Sequence, residues 1–150
     1  MPAVRRPGPP VGRGGGGGPH RFAEQFFREW TGAGNRGDWP ASEAMLHEDV
    51  TLFDPLESEP AVGRTAVLAR AKAQYAPFPD GRVDVVGVPF ATADRSAFGY
   101  RWRFVGTHER PIEPPGFAPT GVRLCLEGMS YLQLEQGRVG PYACTSTPPR

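Results

Sequence analysis

The sequence predicts an α+β fold in which helices lie against one face of a curved antiparallel sheet. Three observations carry this. Phe22, Phe26 and Trp30 fall at i, i+4 and i+8, with Ala23 and Phe27 beside them, an apolar stripe on a helix. Further on, Phe98, Tyr100, Trp102 and Phe104 alternate with Gly99, Arg101 and Arg103, the period of a strand with one aromatic and one basic face. Helical patterns occupy the first half of the chain and strand patterns the second, the segregated layout of α+β domains.

Each element follows in order. Of the chain's 20 glycines and 18 prolines, twelve fall in residues 1–20, which cannot bury apolar surface and are expected to form a disordered tail. The domain then occupies residues 21–150. Gly32, Gly34 and Gly37 end the first helix. Asp38 caps a second, short helix with Pro40 in its first turn and Ala44, Met45 and Leu46 as its apolar residues. Asp49–Asp54 reads as a strand stopped by Pro55, and a turn over Ser58–Gly63 leads into a third helix, Thr65–Tyr75. Val83–Val88 is a short strand and the aromatic alternation a second. Pro111–Pro119 is a proline-rich loop, Gly121–Leu134 is a long strand, and Gln136-Gly137 turns it into Arg138–Ser146.

Composition excludes several classes. The formal net charge is +1, but Arg5, Arg6 and Arg13 sit in the tail, leaving 14 basic against 16 acidic side chains in residues 21–150, a net −2. A nucleic-acid binder relying on phosphate contacts has a basic folded part, so no nucleic-acid partner is expected. No apolar run is long enough to span a bilayer and no apolar stretch follows the N-terminal arginines, so no membrane partner and a cytoplasmic location are expected. Cys125 and Cys144 are too few for a disulfide framework. With three scattered histidines and no C-x-x-C, no metal and no cofactor are expected.

The segments Trp102…Gly106-Thr107-His108, Pro119-Thr120-Gly121, Gly128 and Gln136-Gly137-Arg138-Val139 resemble the second half of the SnoaL-like polyketide cyclase branch of the nuclear transport factor 2-like superfamily. Asn35-x-Gly37-Asp38, Asp49-Val50-Thr51 and Asp54-Pro55-x-x-Ser58-Glu59-Pro60-x-x-Gly63 resemble the ketosteroid isomerase branch. Together these marks cover most of residues 21–147. The resemblance implies a cone: a strongly curved antiparallel sheet and three helices enclosing a dead-end apolar pocket. Tyr100, Trp102 and Phe104 then face inward. Gly128, Ser130, Leu132 and Leu134 do so on the long strand, while Arg101, Arg103 and Glu127 point outward.

The resemblance also assigns candidates. Asp54 stands where the isomerase has its general base, and removing water from a carboxylate strengthens it as a base; a plain Asp-Pro strand end is the bland reading. Trp30 stands at the isomerase's tyrosine and Ser130 at its aspartate, and both can donate hydrogen bonds. Against the cyclase branch, Cys144 takes the place of an acid/base aspartate on the last strand and Ser130 that of a histidine on the strand before. Cys144, next to Tyr142 on an inward parity, is a weak acid or a small buried apolar group. His108 is a proton shuttle at the pocket edge or a loop-edge histidine holding a strand end. Tyr100 and Trp102 line the pocket or pack in the core, and Tyr75 closes its mouth.

The catalytic candidates are therefore Asp54, His108 and Ser130, and the substrate-binding candidates Trp30, Tyr75, Tyr100, Trp102, Tyr142 and Cys144. Three functions remain open: a cofactor-independent cyclase or isomerase of a small apolar polyketide- or terpenoid-type intermediate, a non-catalytic binding or interaction module, or a cone filled by its own aromatic residues. A homodimer through the outer sheet face, where Arg101 and Arg103 lie, is expected from the resemblance.

Overall fold

The computed structural model describes residues 18–146; most of the predicted tail lies outside them. Helix α1 runs Pro19–Arg36, starting two residues before the predicted domain edge. Pro19 at the first helical position gives up an N–H that has no helical acceptor anyway. The helix passes through Gly32 and Gly34 and stops at Gly37, whose φ of 65° is the left-handed conformation that favours glycine. Helix α2 is Trp39–Ala44, and the Asp38 carboxylate accepts from Ala41 N at 3.2 Å, the predicted cap. Helix α3 is Arg64–Tyr75.

Six strands follow the predicted order with one addition. They are β1 Thr51–Phe53, β2 Ala61–Val62, β3 Arg82–Ala91, β4 Ala97–Thr107, β5 Arg123–Glu135 and β6 Arg138–Ser146. The two-residue β2 was not foreseen, and β3 continues past Val88 because a register shift between Val86 and Phe90 absorbs Gly87 and Pro89. The sheet order is β2-β1-β6-β5-β4-β3, an unclosed curved sheet. Neighbours are antiparallel except β1 and β6, which run parallel with Leu52 opposite Ala143 and Phe53 opposite Cys144.

The helix α1 lies over β3 and its stripe packs ring against ring on β4. Phe27 and Phe98 are almost fully buried, and the Phe27 ring lies 3.9 Å from that of Tyr100, centroid to centroid. Phe98 sits 5.2 Å from Phe26 and 5.4 Å from Phe22. A second fastening joins three elements. The Asn35 side chain donates to Val83 O at 2.8 Å and accepts from Val83 N at 2.7 Å, while Tyr75 Oη donates to Asn35 Oδ1 at 3.1 Å. This fixes the ends of α1 and α3 over β3. Gly34 makes the approach possible: a Cβ there would stand 3.0 Å from Tyr75 Oη.

The register corrects one expectation. Ser130 pairs with Thr145 and Leu132 with Ala143, so Ala143, 1% exposed, and Thr145 face inward on β6. Tyr142 and Cys144 therefore turn outward. The Tyr142 ring stands 6.1 Å from Tyr131 and 5.2 Å from Phe53 on the outer face. Arg101, Arg103 and Glu127 share that face as expected, with Arg103 Nη2 at 2.7 Å and Arg101 Nη2 at 3.6 Å from the Glu127 carboxylate.

Candidate functional site

The site begins where β1 ends. Asp54 follows Phe53 and is half-buried. Its Oδ1 accepts from Leu56 N at 2.9 Å, an Asx turn that fixes the carboxylate at the strand end. Its Oδ2 accepts a longer bond, 3.4 Å, from Gln74 Nε2 on α3. Arg70, one turn earlier on α3, donates from Nη2 to Glu59 O at 2.9 Å. Two α3 side chains thus hold the Asp54–Pro60 loop against the helix. Across the ends of β1 and β6 lies a groove of about 410 Å³, its walls including Asp54, Glu57, Glu59, Cys144 and Thr145.

Behind the groove is a chain of hydrogen bonds with a definite direction. Trp102 Nε1 donates to Ser130 Oγ at 3.1 Å, and Ser130 Oγ donates to Thr145 Oγ1 at 3.0 Å. Thr145 Oγ1 in turn donates to Met129 O at 3.4 Å. An indole N–H can only donate, so the sequence of donors runs from Trp102 through Ser130 to Thr145 and ends on Met129 O. Gly128 makes room for the Trp102 ring: a Cβ there would stand 2.2 Å from Trp102 Cζ2 and 2.5 Å from Ser146 O.

Tyr100 lies deeper. Burial pushes its phenol up to about 12, against the opposing pull of hydrogen bonds with Ser130 and Trp30. The Tyr75 phenol is also pushed up to about 12, first by burial and then by its proximity to Tyr100. Both are neutral hydrogen-bonding groups across the physiological range. The structure therefore brings five of the candidates, Trp30, Tyr75, Tyr100, Trp102 and Ser130, into one interior cluster, and none of the five lines the groove that Asp54 borders. The α1 side of the interior is occupied by aromatic rings, and the open volume lies at the strand ends.

The other candidates lie elsewhere. His108 is 5% exposed in the connection after β4 and is absent from the groove walls. Its Nδ1 accepts from Thr120 N at 3.3 Å and lies 3.1 Å from Thr120 Oγ1, and its ring is 5.7 Å from Phe78. His108 N also donates to Val122 O, and Gly121 N donates to His108 O, which closes the proline-rich loop at its base. Tyr142 is turned away from the interior, and Cys144 borders the groove from the outer face, because even-numbered positions of β6 point outward. Sequence reasoning missed Gln74, Arg70 and Thr145. Thr145 carried a usable signal: placing the inward parity of β6 on Val139 and Ala143 selects it. Gln74 and Arg70 carried none, since α3 reads only as an alanine-rich helix.

An open curved six-stranded sheet with helices packed against it is the architecture of the nuclear transport factor 2-like fold. The model of the SnoaL-like domain matches residues 23–140, and the chain belongs to that family. Solved structures agree. A protein from Jannaschia sp., provisionally assigned as a SnoaL-like polyketide cyclase, superposes with a TM-score of 0.71 at 17% identity, covering 91% of each chain. One from Acidithiobacillus ferrooxidans, provisionally assigned as a polyketide cyclase, gives 0.64 at 26% identity over 85% of each chain. One from Kribbella flavida, provisionally assigned as a ketosteroid isomerase, gives 0.62 at 20% identity over 89% of this chain and 82% of its own. Comparison with curated proteins finds no match. No helix among the described residues is long and apolar enough to cross a membrane.

Proposed function

We propose that the protein is a cofactor-independent acid/base enzyme that cyclises or isomerises a small apolar intermediate of polyketide or terpenoid type in secondary metabolism. The observation that carries this reading is the Asp54 carboxylate on the wall of a 410 Å³ groove, held by Leu56 N with its second oxygen only loosely engaged by Gln74. Asp54 Oδ2 takes a proton from a carbon of the substrate and returns it at a second carbon, so no external acid or oxidant is consumed. The Asx turn holds the carboxylate still, which favours a short proton jump over a search of rotamers. The names given to the structural relatives, polyketide cyclases and a ketosteroid isomerase, support the reaction class. His108 serves here as a loop anchor. The enzyme works in the cytoplasm as a homodimer, and the outward Phe53, Met129, Tyr131 and Tyr142, 37–45% exposed beside the Arg101–Glu127–Arg103 ion pairs, supply a mixed apolar and charged face for that contact.

A second reading is a binding module without turnover. The identities at two positions favour it: Ser130 and Cys144 stand where the cyclase branch carries a histidine and an acid, and Ser130 is tied into the Trp102–Thr145 chain. Native mass spectrometry of the protein with any co-purified ligand separates the readings. The enzyme reading requires that this ligand, returned to fresh protein, be converted, and that Asp54→Asn bind it without conversion. A ligand recovered unchanged from the unaltered protein supports the module.

A further inference from the structure

The outer face of the sheet carries a row of aromatic side chains that joins two grooves. The Phe53 ring lies 5.2 Å from that of Tyr142, and Tyr142 lies 6.1 Å from Tyr131, all three 37–40% exposed. Phe53 is also a wall of the groove that Asp54 borders. Tyr131 is a wall of a second groove, of about 320 Å³, together with Thr92, Gln133, Glu135 and Pro141. The first groove is acidic: Asp54, Glu57 and Glu59 stand around it. Among the described residues no basic side chain pairs with any of the three. Arg70 donates to the Glu59 backbone carbonyl, not to a carboxylate.

The chain itself supplies a complement. Residues 1–17, outside the described part, hold Arg5, Arg6 and Arg13 and no acidic side chain. In Arg5-Arg6-Pro7-Gly8-Pro9-Pro10 two positive charges directly precede a proline-rich segment. Proline fixes φ near the polyproline II value, so such a segment loses little freedom when it lies on aromatic rings. From Pro7 to Pro10 a polyproline II run advances about 9 Å, close to the length of the two ring-to-ring steps of 5.2 and 6.1 Å.

The point of entry fits as well. Gly18 leads into α1 beside the second groove: the Phe22 ring lies 5.0 Å from the Arg95 guanidinium, and Arg95 N donates to Thr92 O in that groove's wall. Pro10 precedes Gly18 by eight residues, a reach of about 27 Å when extended. From β4 to β6 is two strand spacings, about 10 Å, and passage from one side of the sheet to the other adds about 10 Å. The order along the chain then follows the order along the surface, with Arg13 near Glu135, the prolines at the aromatic row and Arg6 and Arg5 at the carboxylates.

We infer that residues Arg5–Arg13 lie in cis along the outer face as a strap, with the prolines on Tyr131 and Tyr142 and the Arg5-Arg6 pair in the groove of Asp54, Glu57 and Glu59. The strap takes the same face that is proposed above for contact between two copies, so it competes with a second copy. It does not depend on the reaction proposed for Asp54.

The chain carries its own reporters. Cys144 lines the acidic groove, whereas Cys125 is exposed at the far end of β5, opposite Val105. Arg6→Cys in the full chain, at a position outside the folded part, is oxidised with glutathione disulfide, and peptide mass mapping reads which native cysteine the new thiol joins. The expected bond is to Cys144 within one chain, favoured over Cys125 by at least about tenfold although Cys125 is the more exposed; that is the worth of one or two surface ion pairs with Arg5 left in place. Replacing Glu57→Gln and Glu59→Gln together, or adding 1 M salt (roughly a 3 Å screening length), is expected to bring the ratio down toward one. A bond mainly to Cys125, or a ratio that neither the two glutamines nor salt changes, overturns the strap. A bond to Cys144 that forms only between two chains places the segment on a second copy and overturns docking in cis.

Discussion

Replacing Ser130 by alanine tests the interior chain from the side of stability. Ser130 is 9% exposed, and its hydroxyl is the acceptor for Trp102 Nε1 at 3.1 Å and the donor to Thr145 at 3.0 Å. Thr145 borders the groove and regains water when Ser130 is lost, so its share of the cost is small. The Trp102 indole N–H does not. Leaving one buried donor without an acceptor costs about 1–3 kcal/mol. The void left by an oxygen atom adds little, so Ser130→Ala is expected to destabilise the fold by about 2 kcal/mol. With a urea slope of about 2 kcal/mol per molar for a chain of this size, the midpoint falls by about 1 M, read by far-ultraviolet circular dichroism. A double-mutant cycle isolates the cause: in a Trp102→Phe background the indole donor is gone and only the Tyr100 bond to Ser130 is still lost, so Ser130→Ala is expected to cost about 1 kcal/mol less than in the unaltered protein. Equal costs in both backgrounds would refute the bond between these residues and with it the direction of the chain.

Three further outcomes follow. Gly128→Ala places a Cβ 2.2 Å from the Trp102 ring and 2.5 Å from Ser146 O, so about 1–3 kcal/mol of stability is lost in urea melts. Tyr75 and Tyr100 both have folded-state values raised from 10.0 to about 12, so their contribution is complete below pH 10 and fades as pH rises toward 12. Alkaline unfolding followed by tyrosinate absorbance is expected to soften between those limits, and Tyr75→Phe is expected to remove part of it. Tyr142→Glu puts a charge in the middle of the outward aromatic group and is expected to halve the mass seen by sedimentation if the outer face joins two copies; an unchanged dimer mass places the contact elsewhere.

What could be read in advance depended on how local the information was. The Phe22–Phe26–Trp30 stripe, the Asp38 cap and the alternation through Phe98–Phe104 are each set by neighbours a few residues away, and each appears in the structure as read. The strand β2 is only two residues long, Ala61–Val62, and exists because β1 offers it an edge. The extension of β3 depends on a bulge at Gly87, where a glycine and a proline ordinarily end a strand. The orientation of β6 is a long-range matter. Alignment with family positions turned Tyr142 and Cys144 inward, whereas the pairing of Ser130 with Thr145 turns them out and brings Thr145 in. That Asp54 closes the first strand was legible from the Asp-Pro step, but its partner Gln74, twenty positions away on α3, was not.

The most direct measurement is deuterium incorporation from heavy water at the α-carbon of 2-tetralone, followed by proton magnetic resonance. Carbon-bound protons beside a ketone exchange slowly at neutral pH, and a carboxylate placed against them accelerates this without any knowledge of the natural substrate. The unaltered protein is expected to raise the exchange rate above the buffer rate in proportion to its concentration. Asp54→Asn, folded to the same degree by circular dichroism, is expected to fall at least about a hundredfold, the lower end of what a positioned base contributes. Exchange at the buffer rate with the unaltered protein, or undiminished exchange with Asp54→Asn, would contradict the assignment of Asp54 as the base.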